Sequence, residues 1–333
     1  MPKARVSGLG VVPGVSSQEA AHVIAGECAE APFVPLLPSR GPGADPIGRT
    51  GAIIALISSD FAIETVPTGW RLTSVPGRDI SRGQGFLSSD LDAMEEQFHQ
   101  ADSTLTISIT GPVTWAASVE DPRGEKLIRD HGALREVTSA LTNSIAELLE
   151  QLRRRFPSIE LFVQIDEPLV MSAVTGAIPT ASSLHTYVAL DPQRLIGLWE
   201  PMFTTIGASG SRYGINASGG SAPLSDQLIT SLLASGTSRF YQVAESGLLG
   251  EVMESGREIM WLCNPAWSGN RSAQDIVARV TSLGFAVDKA ADNALVTPSP
   301  MEMSGDWGIA RNALTQARAA VDLLNDPDRL STR

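Results

Sequence analysis

The chain has 333 residues, 43% of them hydrophobic, enough to bury one large core or two smaller ones. Lysine and arginine number 25 against 37 aspartates and glutamates, a formal charge of −12. With no dense basic stripe either, nucleic acid and anionic membrane surfaces are poor partners. Cys28 and Cys263 make no disulfide framework, the N-terminal MPKARVSGLG holds no apolar signal run, and Ala52–Ile57 is too brief to span a bilayer, so a cytoplasmic protein is expected.

Short apolar runs alternate with Gly/Pro/Ser/Asp turns and helical stretches. The run Arg5–Leu9 leads to a helical pattern over Ser17–Gly26, then to the run Phe33–Leu37. A small hairpin insertion is read near residues 62–75, with Pro67-Thr68-Gly69 as its turn. The run Leu105–Ile109 follows, then the clearest helix, within Gly124–Phe156, where Leu134, Val137, Leu141, Ile145, Leu148, Leu149 and Leu152 keep a 3.6-residue period and Pro157 stops it. Glu160–Ile165, Arg212–Ile215, Phe240–Val243, Ile259–Leu262 and Ala294–Thr297 complete eight runs, with helical patterns over Leu224–Ala234, Ala273–Leu283 and Trp307–Leu324. Eight such units predict an α/β protein, a (β/α)8 TIM barrel forming a single domain over 1–333. A doubly wound open sheet is the competitor.

In a barrel the chemistry sits where strands end. Those ends read Gly8-Leu9-Gly10, Ser39-Arg40-Gly41, Thr110-Gly111-Pro112, Asp166-Glu167-Pro168, Asn216-Ala217-Ser218, Gln242, Cys263-Asn264-Pro265 and Pro298-Ser299-Pro300. They are rich in small and polar residues and short of groups that titrate near neutral pH. Gly8-Leu9-Gly10 hints at a dinucleotide loop, but Pro13 stands where the third glycine belongs, and a tight turn explains it as well. Asp166 and Glu167 are adjacent, so on an extended chain they point to opposite faces. One of them is a candidate to hold a substrate ammonium; capping a following helix is the alternative. Arg40, in the rigid SRGPGAD, is either a solvated surface group or a clamp for a carboxylate. Cys263 is a weak candidate nucleophile or an inert buried thiol. His22, His99, His131 and His185 fall away from strand ends, and no metal-binding spacing occurs.

TGPVTWA at Thr110–Ala116 resembles the TGPVT segment of cobalamin-independent methionine synthases, and VQIDEPLV at Val163–Val170 resembles their IQIDEPA segment, in the same order. GLGVVPG (Gly8–Gly14), LLPSRGPGADPIGRT (Leu36–Thr50), PTGWRL (Pro67–Leu72), PGRD (Pro76–Asp79), DHGALRE (Asp130–Glu136) and PTASS (Pro179–Ser183) are similar to patterns of the family's single-barrel, actinobacterial-type relatives. The resemblance covers most of the chain. It implies a barrel of the uroporphyrinogen decarboxylase/methionine synthase-like superfamily and methyl transfer from a methylated folate to homocysteine, whose thiol a zinc ion activates.

Carried over residue by residue, the resemblance implies that Asp166 binds the amino group of the amino-acid substrate. It implies that Leu9-Gly10-Val11 hold the carboxylate, and Arg40, Glu167 and Thr110 are counted with that substrate site. The family's zinc-binding His and Cys fall on Asn216 and Ser218, its zinc Glu near Gln242 with Glu245 the nearest acid, its last zinc Cys on Pro300, and its catalytic His on Cys263. Asn, Ser, Gln and Pro make no zinc site, so no cofactor is expected. The implied protein is a divergent methyltransferase that has lost the usual zinc route and binds a small molecule. A non-catalytic amino-acid-binding or regulatory barrel is the first alternative. A metal-free decarboxylase-like barrel, using Arg40, Arg49 and Arg78 near the mouth, is the second.

Overall fold

The computed structural model describes residues 3–75, 77–98, 103–220, 222–241, 243 and 246–329. Strand β1 (Arg5–Val6) leads to α1 (Ser17–Glu27), capped by the Ser16 hydroxyl, and to α2 (Pro46–Ile54), capped by Asp45. The expected hairpin forms from β2 (Ile63–Val66) and antiparallel β3 (Gly69–Leu72). Helix α3 (Arg78–Phe98) precedes β4 (Thr104–Thr110), α4 (Pro112–Ser118) and the short β5 (Val119–Glu120), which pairs with β3. The long helix α5 (His131–Arg155) starts later than its pattern suggested. Asp130 caps it, taking the Gly132 amide at 2.7 Å, and Pro157 follows its end.

The second half continues the alternation: β6 (Glu160–Asp166), α6 (Val170–Val174), α7 (Pro192–Ala208), β7 (Arg212–Asn216), α8 (Asp226–Ala234), β8 (Arg239–Tyr241), α9 (Leu249–Glu254), β9 (Glu258–Leu262), α10 (Gly269–Ser282), β10 (Ala294–Thr297), α11 (Pro300–Met303) and α12 (Trp307–Asn325). Among the described residues no helix is long and apolar enough to cross a membrane.

This is an α/β fold with parallel sheets. One sheet has the order β1-β10-β9-β8 and a second β4-β6-β7, all parallel; the hairpin and β5 form a third. The ladders do not close into a continuous barrel. Among the described residues, backbone pairing between the two parallel sheets is confined to isolated bonds. At one joint the Ser238 amide donates to the Tyr213 carbonyl at 2.9 Å, tying β8 to β7. At the other, the segment 33–36 lies between β1 and β4 with single bridges Val11–Leu36 and Phe33–Thr106. The run Phe33–Leu37 was expected to be a full strand. Pro32, Pro35 and Pro38 lack the N–H groups that a ladder needs, which confines it to bridges.

Seven helices escaped the sequence pattern, α2, α3 and α7 and the short α4, α6, α9 and α11. Helix α3 spreads its apolar face thinly over Ile80, Leu87, Leu91, Met94 and Phe98, and carries Gly83 where the Gly43 turn packs against it. Helix α2 is only nine residues long and α7 holds Pro201 inside it. What fixes α3 is an ion cluster at its middle. The buried Asp90 carboxylate accepts both Arg40 terminal nitrogens, at 2.9 and 2.7 Å, the Ser17 hydroxyl at 2.8 Å, and Arg49 Nη2. The cluster ties α1, α2, α3 and the 38–41 turn together. Removing Asp90 leaves two guanidinium groups buried without their carboxylate, so Asp90→Ala is expected to lower stability by about 3–5 kcal/mol in urea denaturation; a loss within 0.5 kcal/mol, roughly that of a surface substitution, would show that the cluster does not hold the helix.

Candidate functional site

The register of the β4-β6-β7 sheet sets three side chains in one row. Thr110 pairs with Asp166, and Asp166 pairs with Asn216, at the carboxyl ends of their strands. These three line a cavity of about 320 Å³ together with Leu9, Val11, Ser218 and Pro300. Its walls are otherwise mostly apolar, from Ile47, Leu169 and Met303 among others. Seven residues singled out from the sequence thus meet at one place.

Asp166 is the acid of this cavity. Its Oδ1 accepts the Asn216 side-chain amide at 2.7 Å and the Gln164 amide at 2.8 Å, while Oδ2 has no donor among the described residues. Burial pushes its carboxyl up to about 7; the Asn216 and Gln164 hydrogen bonds oppose that rise, and the neighbouring Glu167 adds to it. Gln164 is itself oriented by others. Tyr241 donates its hydroxyl to Gln164 Oε1 at 3.0 Å, which leaves the Gln164 NH2 to Leu9 O, Ser108 Oγ and Asp166. Tyr241 stays neutral, its hydroxyl pushed well above the ordinary phenol range, chiefly by burial. The sequence reading missed Gln164, Tyr241 and Ser108. Gln164 had a signal, since it lies two residues before Asp166 and so shares its face; Tyr241 and Ser108 come from other strands and had none.

Gly10, between the lining residues Leu9 and Val11, has φ +105°, and a Cβ there would meet Ser108 Oγ at 2.8 Å, so only glycine fits. Its carbonyl accepts the Leu36 amide, and Leu36 O accepts the Val12 amide. Thr110 hydrogen-bonds through its hydroxyl to Pro46 O at 3.0 Å.

Three expected site residues lie elsewhere. Glu167 points away from the cavity, fully buried, and accepts the Val113 and Thr114 amides at 3.1 and 2.7 Å and Trp199 Nε1 at 3.1 Å. Burial raises its carboxyl, with those donors opposing the rise. It caps α4 and does not line the cavity. Arg40 is bound to Asp90 and stacked 4.5 Å over the Phe86 ring, so it is neither solvated nor placed to clamp a carboxylate there. Cys263 lines a different cavity, of about 460 Å³, with Trp261, Trp267 and Ser272. Burial pushes its thiol up to about 11. At neutral pH it is a thiol and a poor nucleophile.

The residues at the family's zinc positions do not fit a metal. The Asn216 amide is spent at both ends, Nδ2 on Asp166 and Oδ1 on the Ser218 amide at 2.9 Å, and Pro300 has no side-chain donor atom for a metal. Gln242 and Glu245 lie outside the described residues. Among the described residues no three His, Cys, Asp or Glu side chains converge.

No family model matches this chain. No curated protein matches it either. Among solved structures it is similar to a B12-independent methionine synthase from Shewanella sp. W3-18-1 in complex with selenomethionine, with 11% identity, 98% of this chain and 99% of that one covered, and a TM-score of 0.49. A protein from Aquifex aeolicus VF5 is similar at 14% identity over 85% of this chain and 98% of that one, with a TM-score of 0.28.

Two measurements probe this site. The folded Asp166 carboxyl binds its proton more tightly than an unfolded aspartate, so stability falls as pH rises from about 4 through about 7. Asp166→Asn removes that penalty. The variant is expected to be more stable than the parent by about 1–4 kcal/mol at pH 8, the difference closing towards pH 4; a difference independent of pH would remove the raised carboxyl. Elemental analysis of protein purified without added metal is expected to show no stoichiometric zinc, and close to one zinc per chain would reveal a ligand set other than Asn216, Ser218 and Pro300.

Proposed function

We propose that the chain is a methionine-synthase-like (β/α)8 barrel whose cavity binds the ammonium group of an amino-acid-like small molecule on Asp166. The observation that carries this is the Asp166 carboxylate. It is held in a row at the strand ends, one oxygen is fixed by two amides, and the other has no donor among the described residues. A half-buried acid with its carboxyl raised to about 7 costs stability, and a ligand cation relieves that cost. The eight extended segments, following one another in space from β1 through 33–36, β4, β6, β7, β8 and β9 to β10, support the barrel reading.

Methyl transfer to a homocysteine-like thiol is the second reading. It is supported by the segments Thr110–Ala116 and Val163–Val170, and it requires a route without zinc. Against it stands the cavity lining, in which Asp166 is the only ionisable group among the described residues, so nothing else there could take the thiol proton. The decarboxylase-like reading has less support. Arg40 and Arg49 are bound to Asp90, and neither lines the cavity.

Calorimetry with methionine and homocysteine tests the first reading. A charge-assisted pair of this kind is worth about 1.5–3 kcal/mol, so Asp166→Asn is expected to weaken binding by roughly tenfold to a hundredfold. Equal binding by parent and variant would place the ammonium elsewhere. A homocysteine-dependent methyl-transfer assay decides whether turnover accompanies binding.

A further inference from the structure

The charge balance of the cavity is one-sided. Among the described lining residues Asp166 is the only ionisable group, and no arginine, lysine or histidine joins it. The cations nearest in sequence to the lining residues Pro46 and Ile47 are already used. Arg40 and Arg49 both bind Asp90, and each is almost wholly buried in that pairing.

The side-chain donors are largely spent, so a carboxylate would be left to the Leu9–Val11 amides. Thr110 gives its hydroxyl to Pro46 O, Ser118 gives its own to Thr114 O at 2.8 Å, and the Asn216 NH2 goes to Asp166. The Ser218 hydroxyl has no partner, and one hydroxyl is a weak substitute for a carboxylate's water shell. A carboxylate entering this lining gives up its hydration with no cation to replace it. The acidic field of a chain with formal charge −12 works in the same direction, drawing cations in and keeping anions out.

We propose that the cavity selects small primary amines that carry an apolar, uncharged body and no free carboxylate. The inference rests on the ammonium site read at Asp166 and narrows what may be attached to it. The amine meets Asp166 Oδ2. The alkyl or thioether body lies against Leu9, Val11, Ile47, Leu169 and Met303. A cavity of about 320 Å³ is at the small end of ligand sites, which limits the body to a short chain.

The test is calorimetry at pH 8 with three probes that share one body: 3-(methylthio)propylamine, methionine and 3-(methylthio)propionate. The amine is expected to bind at least tenfold more tightly than methionine, and the propionate not at all. Asp166→Asn, which keeps the side chain's shape, is expected to weaken amine binding at least tenfold. Repeating the amine titration at pH 6 in two buffers of different ionisation heat is expected to show proton release, because binding an ammonium ionises Asp166. Methionine binding as tightly as the amine would overturn the proposal while leaving the ammonium site in place, and would restore a clamp on the Leu9–Val11 backbone. Amine binding that is absent, or that Asp166→Asn leaves unchanged, would overturn the proposal and the ammonium site together.

Discussion

The end of strand β6 is the constraint on which the rest of the site depends. Successive side chains of a strand alternate in direction, so Asp166 and Glu167 are sent to opposite sides of the sheet. Asp166 enters the cavity, and Glu167 enters the helix layer, where two amides at the start of α4 and the Trp199 indole satisfy it. That arrangement requires glycine at 111, because a Cβ there would lie 2.4 Å from the Glu167 carboxyl carbon. The Thr110-Gly111-Pro112 and Asp166-Glu167-Pro168 segments are therefore one structural unit. Changing either without the other would either bury an unbonded carboxylate or force two groups into the same space.

The same economy governs the arginines. At the amino-terminal end of the strands, Arg5, Arg212 and Arg239 surround Glu258, at 2.7, 3.3 and 2.9 Å, with Arg239 also 3.7 Å above the Phe162 ring. Burial alone would raise that carboxyl, but the three guanidinium groups outweigh it and hold it at about 2. Near α1, α2 and α3, Arg40 and Arg49 share Asp90. Cations committed in this way serve the fold. The acid at the carboxyl ends of the strands is left with amide donors only, and its proton is correspondingly hard to lose. The buried Glu258 and the half-buried Asp166 thus titrate far apart because guanidinium charges offset the loss of water around the first and only amides oppose it at the second.

How far the sequence reached differs from feature to feature. The long amphipathic α5 and the apolar runs of β4, β6, β7, β9 and β10 were legible because periodicity is a local property. Helix α3 keeps the same spacing at Ile80, Leu87, Leu91, Met94 and Phe98; what no local pattern shows is that its Asp90 meets Arg40 and Arg49 and its Gly83 meets Gly43. The segment 33–37 had the composition of a strand, and its prolines decided otherwise. Arg40 was suspected from its position at a strand end, and its partner, Asp90, came from a distant part of the chain.

By itself the sequence determined the alternation of strands and helices, the opposite facing of Asp166 and Glu167, and the lack of zinc-binding side chains at Asn216, Ser218 and Pro300. These follow from residue identity and from a period of two, which need no partner. Only the tertiary structure decided which acid met the cavity and which was consumed by a helix end. It also showed that Arg40 belongs to Asp90, and that Gln164 and Tyr241 set the orientation of Asp166. Those outcomes depend on which side chains from distant strands and helices arrive within 3 Å of one another, and register between strands, not the order of residues along one of them, fixes that.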